Sequence, residues 1–396
     1  MIGARGWLFA LIGLLLVACQ PPATDVWGPV INFGTIQHDQ PPAIMPTSQG
    51  TVFVWSDADA TEARLYAATA RKPATILALP TTISYQHSTY PALNDNAHLL
   101  WIDQPLDEGP RLMAATYSPD LIALTGPIKL SRRDTYHYAA ASLPDGGLRI
   151  VWTSGFISEP TLYTLTIDGM GRPSFAEEVR FFVTHPALVR DGRGDLWLFW
   201  LWEGDVYRGR LVDTALEDVE VVTSDVALQR GDYLDAFYAV MDETHTYLLW
   251  QVSRADGSWD VQWSIGTKVG DVWTPPRPLA FAVDPEATVQ TGFNSGTVQA
   301  ARSGSNANLL QLARPLPGQN RSVPLSVVTQ GEEATTIGVL YLQNGALLGY
   351  QSLAGATVLR APTIAADPSL YLTLAWGQLG PAGTTLNFIT SQPDTE

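Results

Sequence analysis

Short apolar runs that end in tryptophan recur at nearly equal intervals along the chain. Each run is preceded by a shorter apolar segment and is followed, after a polar loop, by two further strand-like segments. The runs are TVFVW, HLLW, LRIVW, DLWLFW and TYLLW, ending at Trp55, Trp101, Trp152, Trp200 and Trp250. The intervals of 46, 51, 48 and 50 residues between these tryptophans are typical of a repeat architecture.

The runs are apolar at consecutive positions, as from Val52 to Trp55, and not at alternating ones. Alternation is expected of a sheet with one face in water, whereas continuous runs are expected of strands buried on both faces. Four short strands separated by Gly, Pro and Asp form a unit the size of a propeller blade, which is covered by a blade on either side. The pattern therefore predicts an all-β protein, a β-propeller of four-stranded blades.

The number of blades follows from the positions at which the units begin. These positions are 42, 91, 139, 186, 236, 287, 324 and 362, which predicts eight blades. The alternative is seven, if the segments at 287 and 324 form one blade with an insertion.

The two ends of the chain predict how the ring closes. The last unit ends after TTLNFIT at 384–390 without a fourth strand, and DVWGPVINF at 25–33 precedes the first unit without partners. We expect the N-terminal segment to supply the outer strand of the last blade, since this closure removes an exposed sheet edge. The propeller is thus predicted to span residues 25–390, followed by a tail at 391–396.

The first residues carry an export signal. Arg5 precedes WLFALIGLLLVA, an apolar stretch too short to span a bilayer but suited to the core of a signal peptide. The following LVAC resembles the lipobox of bacterial lipoproteins. That resemblance implies a signal peptide at 1–18, acylation of the Cys19 thiol with chains such as palmitate, and a tether at 19–24. An ordinary signal peptide with a chance cysteine is the alternative.

Charge and cysteine content restrict the partners. The formal net charge of −16 disfavours nucleic acid, because phosphates require a basic surface. Anionic headgroups would also repel the polypeptide, so we expect membrane attachment through the N-terminal lipid alone. Cys19 is the only cysteine, which excludes an internal disulfide. We therefore expect an extracytoplasmic, membrane-anchored protein, at the cell surface or in the periplasm, that meets an envelope protein or a glycan.

Histidine recurs just before the predicted inner strands, where the loops of a propeller surround one mouth of the channel. The candidate ligand-facing residues at this mouth are His38, His87, Tyr90, His137, Tyr138, His185 and Asp235. A repeated structural role in turns is the alternative. A metal would need several nitrogens at ~2 Å from one ion, while four adjacent blades extend across half a ring. We predict no metal site and no cofactor.

Acidic residues follow the predicted second strands and face the same end of the ring. The candidates are Asp57, Asp103, Glu203 and Asp205. A pair of carboxylates ~5–10 Å apart is what glycoside hydrolysis requires. Chance placement is the alternative in a chain with 39 acidic residues.

Three phrases, RDGRGDLWLFW, LPDGGLRIVW and SRADGSWDVQW, resemble the repeats of sialidase-like (BNR-type) propellers. The resemblance covers residues 42–280 and implies a glycoside hydrolase or lyase of that architecture. The chain has no nucleotide-binding, metalloprotease or serine-hydrolase motif. The sequence therefore favours a binding or scaffold module for a protein or glycan partner, with the hydrolase or lyase as the alternative, and leaves enzymatic activity open.

Overall fold

The structure is a computed structural model, and most of the chain beyond its N-terminal segment is described. The described residues are 27–36, 41–47, 50–58, 63–69, 72–76, 84–105, 108–132, 134–155, 159–224, 226, 232–267, 272–296, 298–304, 308–318, 321–330, 335–355, 357–358, 360–381 and 383–391. The expectations for the signal peptide, Cys19, the tether, His38 and residues 392–396 lie outside them. Within the described residues, no helix has the length and apolar character that crossing a bilayer requires.

Strand β1 (Ile31–Ile36) comes first and is followed by five four-stranded blades in chain order. Blade 1 contains β2 (Ala43–Thr47), β3 (Gly50–Ala58), β4 (Ala63–Thr69) and β5 (Lys72–Ile76). Blade 2 contains β6 (Ser84–Pro91), a 3-10 turn (Leu93–Asp95), β7 (Ala97–Asp103), β8 (Arg111–Tyr117) and β9 (Ala123–Lys129). Blade 3 contains β10 (Thr135–Ser142), β11 (Leu148–Ser154), β12 (Thr161–Ile167) and β13 (Glu177–Phe181).

The second half of the chain adds two blades, one larger sheet and a closing blade. Blade 4 contains β14 (Thr184–Arg190), β15 (Leu196–Trp202), β16 (Asp205–Val212) and β17 (Ala215–Thr223). Blade 5 contains β18 (Tyr233–Met241), β19 (His245–Ser253), β20 (Trp259–Thr267) and β21 (Arg277–Pro278). The larger sheet contains β22 (Phe281–Val289), β23 (Val298–Ser303), β24 (Asn308–Leu312), β25 (Val323–Gln330), β26 (Thr335–Gln343) and β27 (Ala346–Gly355). The closing blade contains β28 (Thr363–Ala366), β29 (Leu372–Gly380), β30 (Gly383–Thr390) and β1.

The first strands of the blades line the central channel. Strand β2 contacts β6 on one side and β28 on the other, and β14 likewise contacts β10 and β18. The later strands of each blade lie progressively further out, and β9 and β13 present mostly exposed side chains. The fold is therefore the predicted all-β propeller.

The tryptophan that ends each apolar run lies in the second strand of its blade. These strands are β3, β7, β11, β15 and β19, and β29 carries Trp376 in the same place. All six of these tryptophans are buried: Trp55, Trp101, Trp152, Trp200, Trp250 and Trp376. All seven residues of β7 are buried, which is the two-sided burial that the continuous apolar pattern predicts.

The predicted blade count is not matched. Among the described residues, six sheets have four strands, giving a propeller of six blades, and one sheet has six strands in the order β22-β23-β27-β26-β25-β24. The segments beginning at 287 and 324, predicted to start separate blades, lie in this six-stranded sheet. Strand β23 pairs with β27 through Gln299↔Tyr350 and Ala300↔Gly349, so β22 and β23 extend an existing sheet edge.

Apolar clusters join each sheet to the next around the ring. One cluster connects blade 1 to blade 2 through residues such as Val54 and Trp101, and equivalent clusters lie between the following blades. Two further clusters flank the six-stranded sheet, which therefore occupies a sector of the ring between blade 5 and the closing blade. The last cluster connects the closing blade to blade 1. At roughly 25 cal/mol per Å² of buried apolar area, these interfaces are the main favourable term in the stability of the ring.

The N-terminal strand closes the ring as predicted. Strand β1 is antiparallel to β30, with Ile31 opposite Phe388 and Ile36 opposite Thr384. It begins later than the predicted 25–33 segment, and Gly28 N–H donates to the Thr390 carbonyl ahead of it. Phe33 packs with its ring centroid 4.9 Å from that of Phe388 and 5.1 Å from that of Phe53 in blade 1.

Replacing Phe33 with Ala should lower the free energy of unfolding by about 2 kcal/mol, because the half-buried ring joins the closing blade to blade 1. Urea unfolding followed by tryptophan fluorescence measures the change. Phe175, which is 89% exposed, provides the control, and F175A should stay within about 0.5 kcal/mol of the wild type. Equal stability of F33A and F175A would contradict the closure role.

Candidate functional site

Four successive inner strands are bulged at the same end. The register shifts lie between Tyr85 and Ser88 in β6, Thr135 and His137 in β10, Thr184 and Ala187 in β14, and Leu234 and Ala236 in β18. A bulge bends its strand and changes the direction of the side chain beside it, and bulges are common next to active sites. We call this end of the ring the bulged mouth.

The backbone is strained at two of the bulges. Gln86 has φ 54° and His185 has φ 46°, which places both in the left-handed region that non-glycine residues seldom adopt. Such conformations cost about 1–3 kcal/mol each and persist where the surrounding structure enforces them, often at ligand sites. The strain thus coincides with the polar end of the channel.

Polar and aromatic side chains are collected at the bulged mouth. Tyr136 is 39% exposed and Tyr233 is 62% exposed, while Gln86 and Asp235 are exposed beside them. Burial, together with the phenols of Tyr136 and Tyr233, raises the pKa of Tyr85 to about 12. The three tyrosines belong to blades 2, 3 and 5, so the mouth is bordered by hydroxyl groups from several sides.

His137 and His185 lie against each other in neighbouring blades. Their ring centroids are 3.9 Å apart and the ring planes are inclined by 35°. Burial lowers the pKa of His137 to about 4, and burial together with His137 lowers that of His185 to about 3, an effect that the Leu234 backbone partly offsets. Both imidazoles are therefore neutral at physiological pH and can accept a proton.

His87 is held within its own strand. Its Nε2 lies 3.0 Å from the Ser84 hydroxyl, and burial lowers its pKa to about 4. No contact between His87 and the His137–His185 pair is found in the described part of the chain, so the structure brings together two of the predicted histidines.

Two predicted mouth residues, Tyr90 and Tyr138, lie deeper in the channel. The Tyr138 hydroxyl contacts the Gln86 carbonyl and lies 3.0 Å from the Ser88 hydroxyl, which joins β10 to β6. The Tyr90 hydroxyl accepts a hydrogen bond from Nη1 of Arg314. These residues form the floor of the site, and Arg314 is part of it.

Arg314 reaches across the ring. It follows β24 in the six-stranded sheet, whereas Tyr90 and Ala140 belong to blades 2 and 3, on the opposite side of the channel. Its Nη2 donates to the Ala140 carbonyl at 3.1 Å, and its guanidinium lies 4.9 Å from the centroid of the Tyr90 ring. The side chain therefore joins the six-stranded sheet to blades 2 and 3 across the channel.

Asp235 lies at the bulged mouth near Arg360. Burial raises the pKa of Asp235, and the charge of Arg360 offsets part of this shift. Arg360 and Arg314 also both act on Tyr238, whose pKa is raised by burial and partly lowered by the two arginines. Both arginines thus lie near enough to Tyr238 for their charges to act on it.

The predicted acidic residues do not form a pair in the described structure. Asp103 is buried and forms an ion pair with Arg111 at 3.1 Å. Glu203 lies in the turn between β15 and β16 with φ 50°, and Asp205 begins β16. The side chain of Asp57 lies outside the described residues. A structural role accounts for Asp103, and no contact joins Glu203 or Asp205 to the two stacked histidines.

The sequence did not lead to Tyr85, Tyr136 and Tyr233 as site residues. It also did not lead to Arg314 and Arg360. A sequence signal for Tyr85 and Tyr136 exists, because SYQH and TYHY place these tyrosines at the second position of two equivalent strands. No sequence signal marks Arg314, since it lies in the C-terminal third of the chain, where the repeat is irregular. Among the described residues, no group of three or more His, Cys, Asp or Glu side chains is arranged to hold a metal ion.

No family model and no curated protein matches the chain. Among solved structures, an ulvan lyase described as a new family of polysaccharide lyase is similar with a TM-score of 0.51 and 9% identity, covering 90% of this chain and 97% of that one. The same kind of lyase bound to -[GlcA(1-4)Rha3S]- gives a TM-score of 0.50 with the same identity and coverage. An α-L-arabinofuranosidase from Fusarium graminearum with an iminosugar inhibitor gives 0.47 and 11% identity, over 78% of this chain and 92% of that one. At 9% identity, the similarity to the lyase establishes the propeller fold alone.

The neutral histidine pair predicts a pH dependence of stability. An unfolded histidine binds a proton below about pH 6.5, while His137 and His185 resist protonation until lower pH, so the unfolded state binds more protons between these values. Stability should therefore fall as pH decreases from 7 to 4. Replacing His137 with Gln should remove on the order of 1–2 kcal/mol of the loss between pH 7 and pH 5, as measured by urea unfolding.

The control for this change is Gln86→Asn, which alters a side chain of the same mouth that carries no titrating group. Its pH slope should match that of the wild type. An H137Q slope equal to that of Q86N would show that His137 is not the buried neutral group described here.

Proposed function

We propose that the bulged mouth binds a carbohydrate. The observation that carries this proposal is the set of bulges in β6, β10, β14 and β18, which place tyrosine, histidine, glutamine and aspartate side chains at one end of the channel. Sugar rings present hydroxyl groups around their edges and apolar faces, so they need hydrogen-bonding side chains beside aromatic rings. Tyr136 and Tyr233 offer exposed rings, and Gln86 and Asp235 offer polar groups.

The fold is compatible with this use. The ulvan lyase that shares the propeller architecture has been solved with a bound saccharide. Its low identity transfers no residue role to this chain, so the proposal depends on the mouth itself. Protein scaffolding remains less favoured, because the polar channel end offers hydrogen-bonding groups and strained backbone in place of a broad apolar surface.

A second candidate function is cleavage of the bound glycan by a hydrolase or lyase. It is favoured by one observation, the contact between His137 and His185 in neighbouring blades at the bulged mouth. Neutral imidazoles can remove a proton, and nearby tyrosine hydroxyls can donate one to a leaving group, which are the two roles of general acid–base catalysis. Cleavage would act on the same ligand at the same mouth.

Binding can be tested with the soluble mature protein on a glycan array, followed by calorimetry with the glycans retained. The double variant Y136A/Y233A should bind about tenfold more weakly, because two exposed aromatic contacts are lost. F175A, which removes a still more exposed aromatic ring on the loop between β12 and β13, should bind as the wild type does. Retained affinity in the double variant, or silence of the array, contradicts the proposal. New reducing ends or an unsaturated product in the same mixtures, lost in H137Q, would establish cleavage.

We further propose that the protein is an extracytoplasmic lipoprotein. The support is the LVAC sequence ending at Cys19, which resembles a lipobox, and the acidic net charge of −16 that makes the polypeptide a poor ligand for anionic headgroups. Two or more acyl chains at about 0.8 kcal/mol per buried methylene suffice for stable anchoring. The channel site would then act close to the membrane.

Cys19→Ala should abolish incorporation of labelled palmitate and move the protein from the membrane fraction to the soluble fraction, because the thiol that carries the lipid is gone. Gln20→Ala keeps the thiol and should remain labelled and membrane-bound. Membrane retention of C19A would refute lipid anchoring at this residue.

A further inference from the structure

Arg314 has more hydrogen-bonding capacity than the protein uses. A guanidinium carries five N–H donors. The contacts with the Tyr90 hydroxyl and the Ala140 carbonyl account for two of them. Within the described part of the chain, no carboxylate lies at ion-pair distance from Arg314, whereas Arg111, Arg208 and Arg254 each have one. The charge on the channel floor is thus uncompensated.

Arg314 is surrounded by protein groups but remains accessible to solvent. Burial acts to lower its pKa, but the phenols of Tyr90, Tyr138 and Tyr238 more than offset this effect, so the pKa is raised and the side chain stays cationic. Arg314 is nevertheless exposed to solvent. A residue surrounded by protein and still accessible must face the interior space of the ring. Its remaining N–H groups are therefore accessible from that space.

An unpaired cation in such a place is costly. Removing a charge from bulk water into a partly enclosed space is unfavourable unless an opposite charge compensates it. The chain has a formal net charge of −16, yet Arg314 lies in the channel, and its charge and that of Arg360 both act on Tyr238. An acidic protein with a cationic channel is arranged to attract an anion into that channel.

We infer that the floor of the channel binds an anionic substituent of the carbohydrate, a carboxylate or a sulfate ester, through Arg314. This inference rests on the proposed function and adds the charge class of the ligand. The planar guanidinium donates two parallel N–H groups to such an oxyanion. The sugar ring would lie between the floor and the tyrosines of the bulged mouth.

A purely structural role for Arg314 makes a different prediction. If the residue only joins the six-stranded sheet to blades 2 and 3, its two hydrogen bonds are sufficient, and the charge has no effect on ligand choice. Arg314→Gln retains an amide donor but removes the charge, and Arg314→Lys keeps the charge but loses the planar pair of donors. Comparing the two variants therefore distinguishes a role in joining the sheets from a role in binding an anion.

The experiment uses pairs of oligosaccharides that differ only in charge. Uronic acid oligomers are compared with their methyl esters, and sulfated oligomers with their desulfated forms, by calorimetry with wild type, R314Q, R314K and the control R302Q. Arg302 is an exposed residue of β23, outside the channel. We expect the wild type and R302Q to prefer the charged member of a pair by about ten- to a hundred-fold, R314K to retain part of this preference, and R314Q to lose it.

The outcomes separate this inference from the proposed function. Equal binding of charged and uncharged members by the wild type, or an unchanged preference in R314Q, overturns the role of Arg314 while glycan binding stands. Failure to bind any oligosaccharide overturns both. If R314Q does not fold, the charge preference of the wild type and its reduction in R314K relative to R302Q still decide the matter. Preference for the carboxylate pair or for the sulfate pair identifies the anion.

Discussion

Two-sided burial of the blades is the constraint on which the rest of the structure depends. A strand such as β7, whose seven residues are all buried, is stable only if another sheet covers each face. The consequence is a closed ring, in which apolar clusters occur between every neighbouring pair of sheets. Closure in turn requires β1 to pair with β30, because the final blade has only three strands of its own from the C-terminal end.

The ring imposes the location of the site. Inner strands of successive blades lie side by side, so their first residues meet at one end of the channel. There the regular ladder is interrupted in four strands in succession, and Gln86 and His185 adopt left-handed backbone conformations. The second strands of the blades, with their buried tryptophans, supply the support that such strain needs. The stability of the outer part of a blade and the strained backbone at its inner end are therefore linked.

Electrostatics distinguishes the channel from the outer surface. The chain is strongly acidic as a whole, but the groups enclosed by the inner strands include neutral imidazoles, phenols and Arg314. Burial explains each neutral state, since it disfavours the charged form of histidine and tyrosine. Arg314 keeps its charge because the hydroxyl of Tyr90 accepts one of its hydrogen bonds and the neighbouring phenols raise its pKa. A cationic floor below a neutral, polar mouth is a chemical environment suited to a sugar that carries an acid group.

The sequence by itself determined the repeat, the strand positions of the tryptophans and the closing strand. Burial on both faces and the length of a blade are local properties, and the spacing of apolar residues indicates both. It also placed His137 and His185 at equivalent points of neighbouring blades, where the fold stacks them. The tertiary structure alone decided that β22 and β23 extend the sheet of β24–β27 instead of starting a blade, since strand pairing at an edge depends on which edges are free. It alone decided that Arg314 meets Tyr90 across the channel, because residues more than two hundred positions apart become neighbours only when the ring closes.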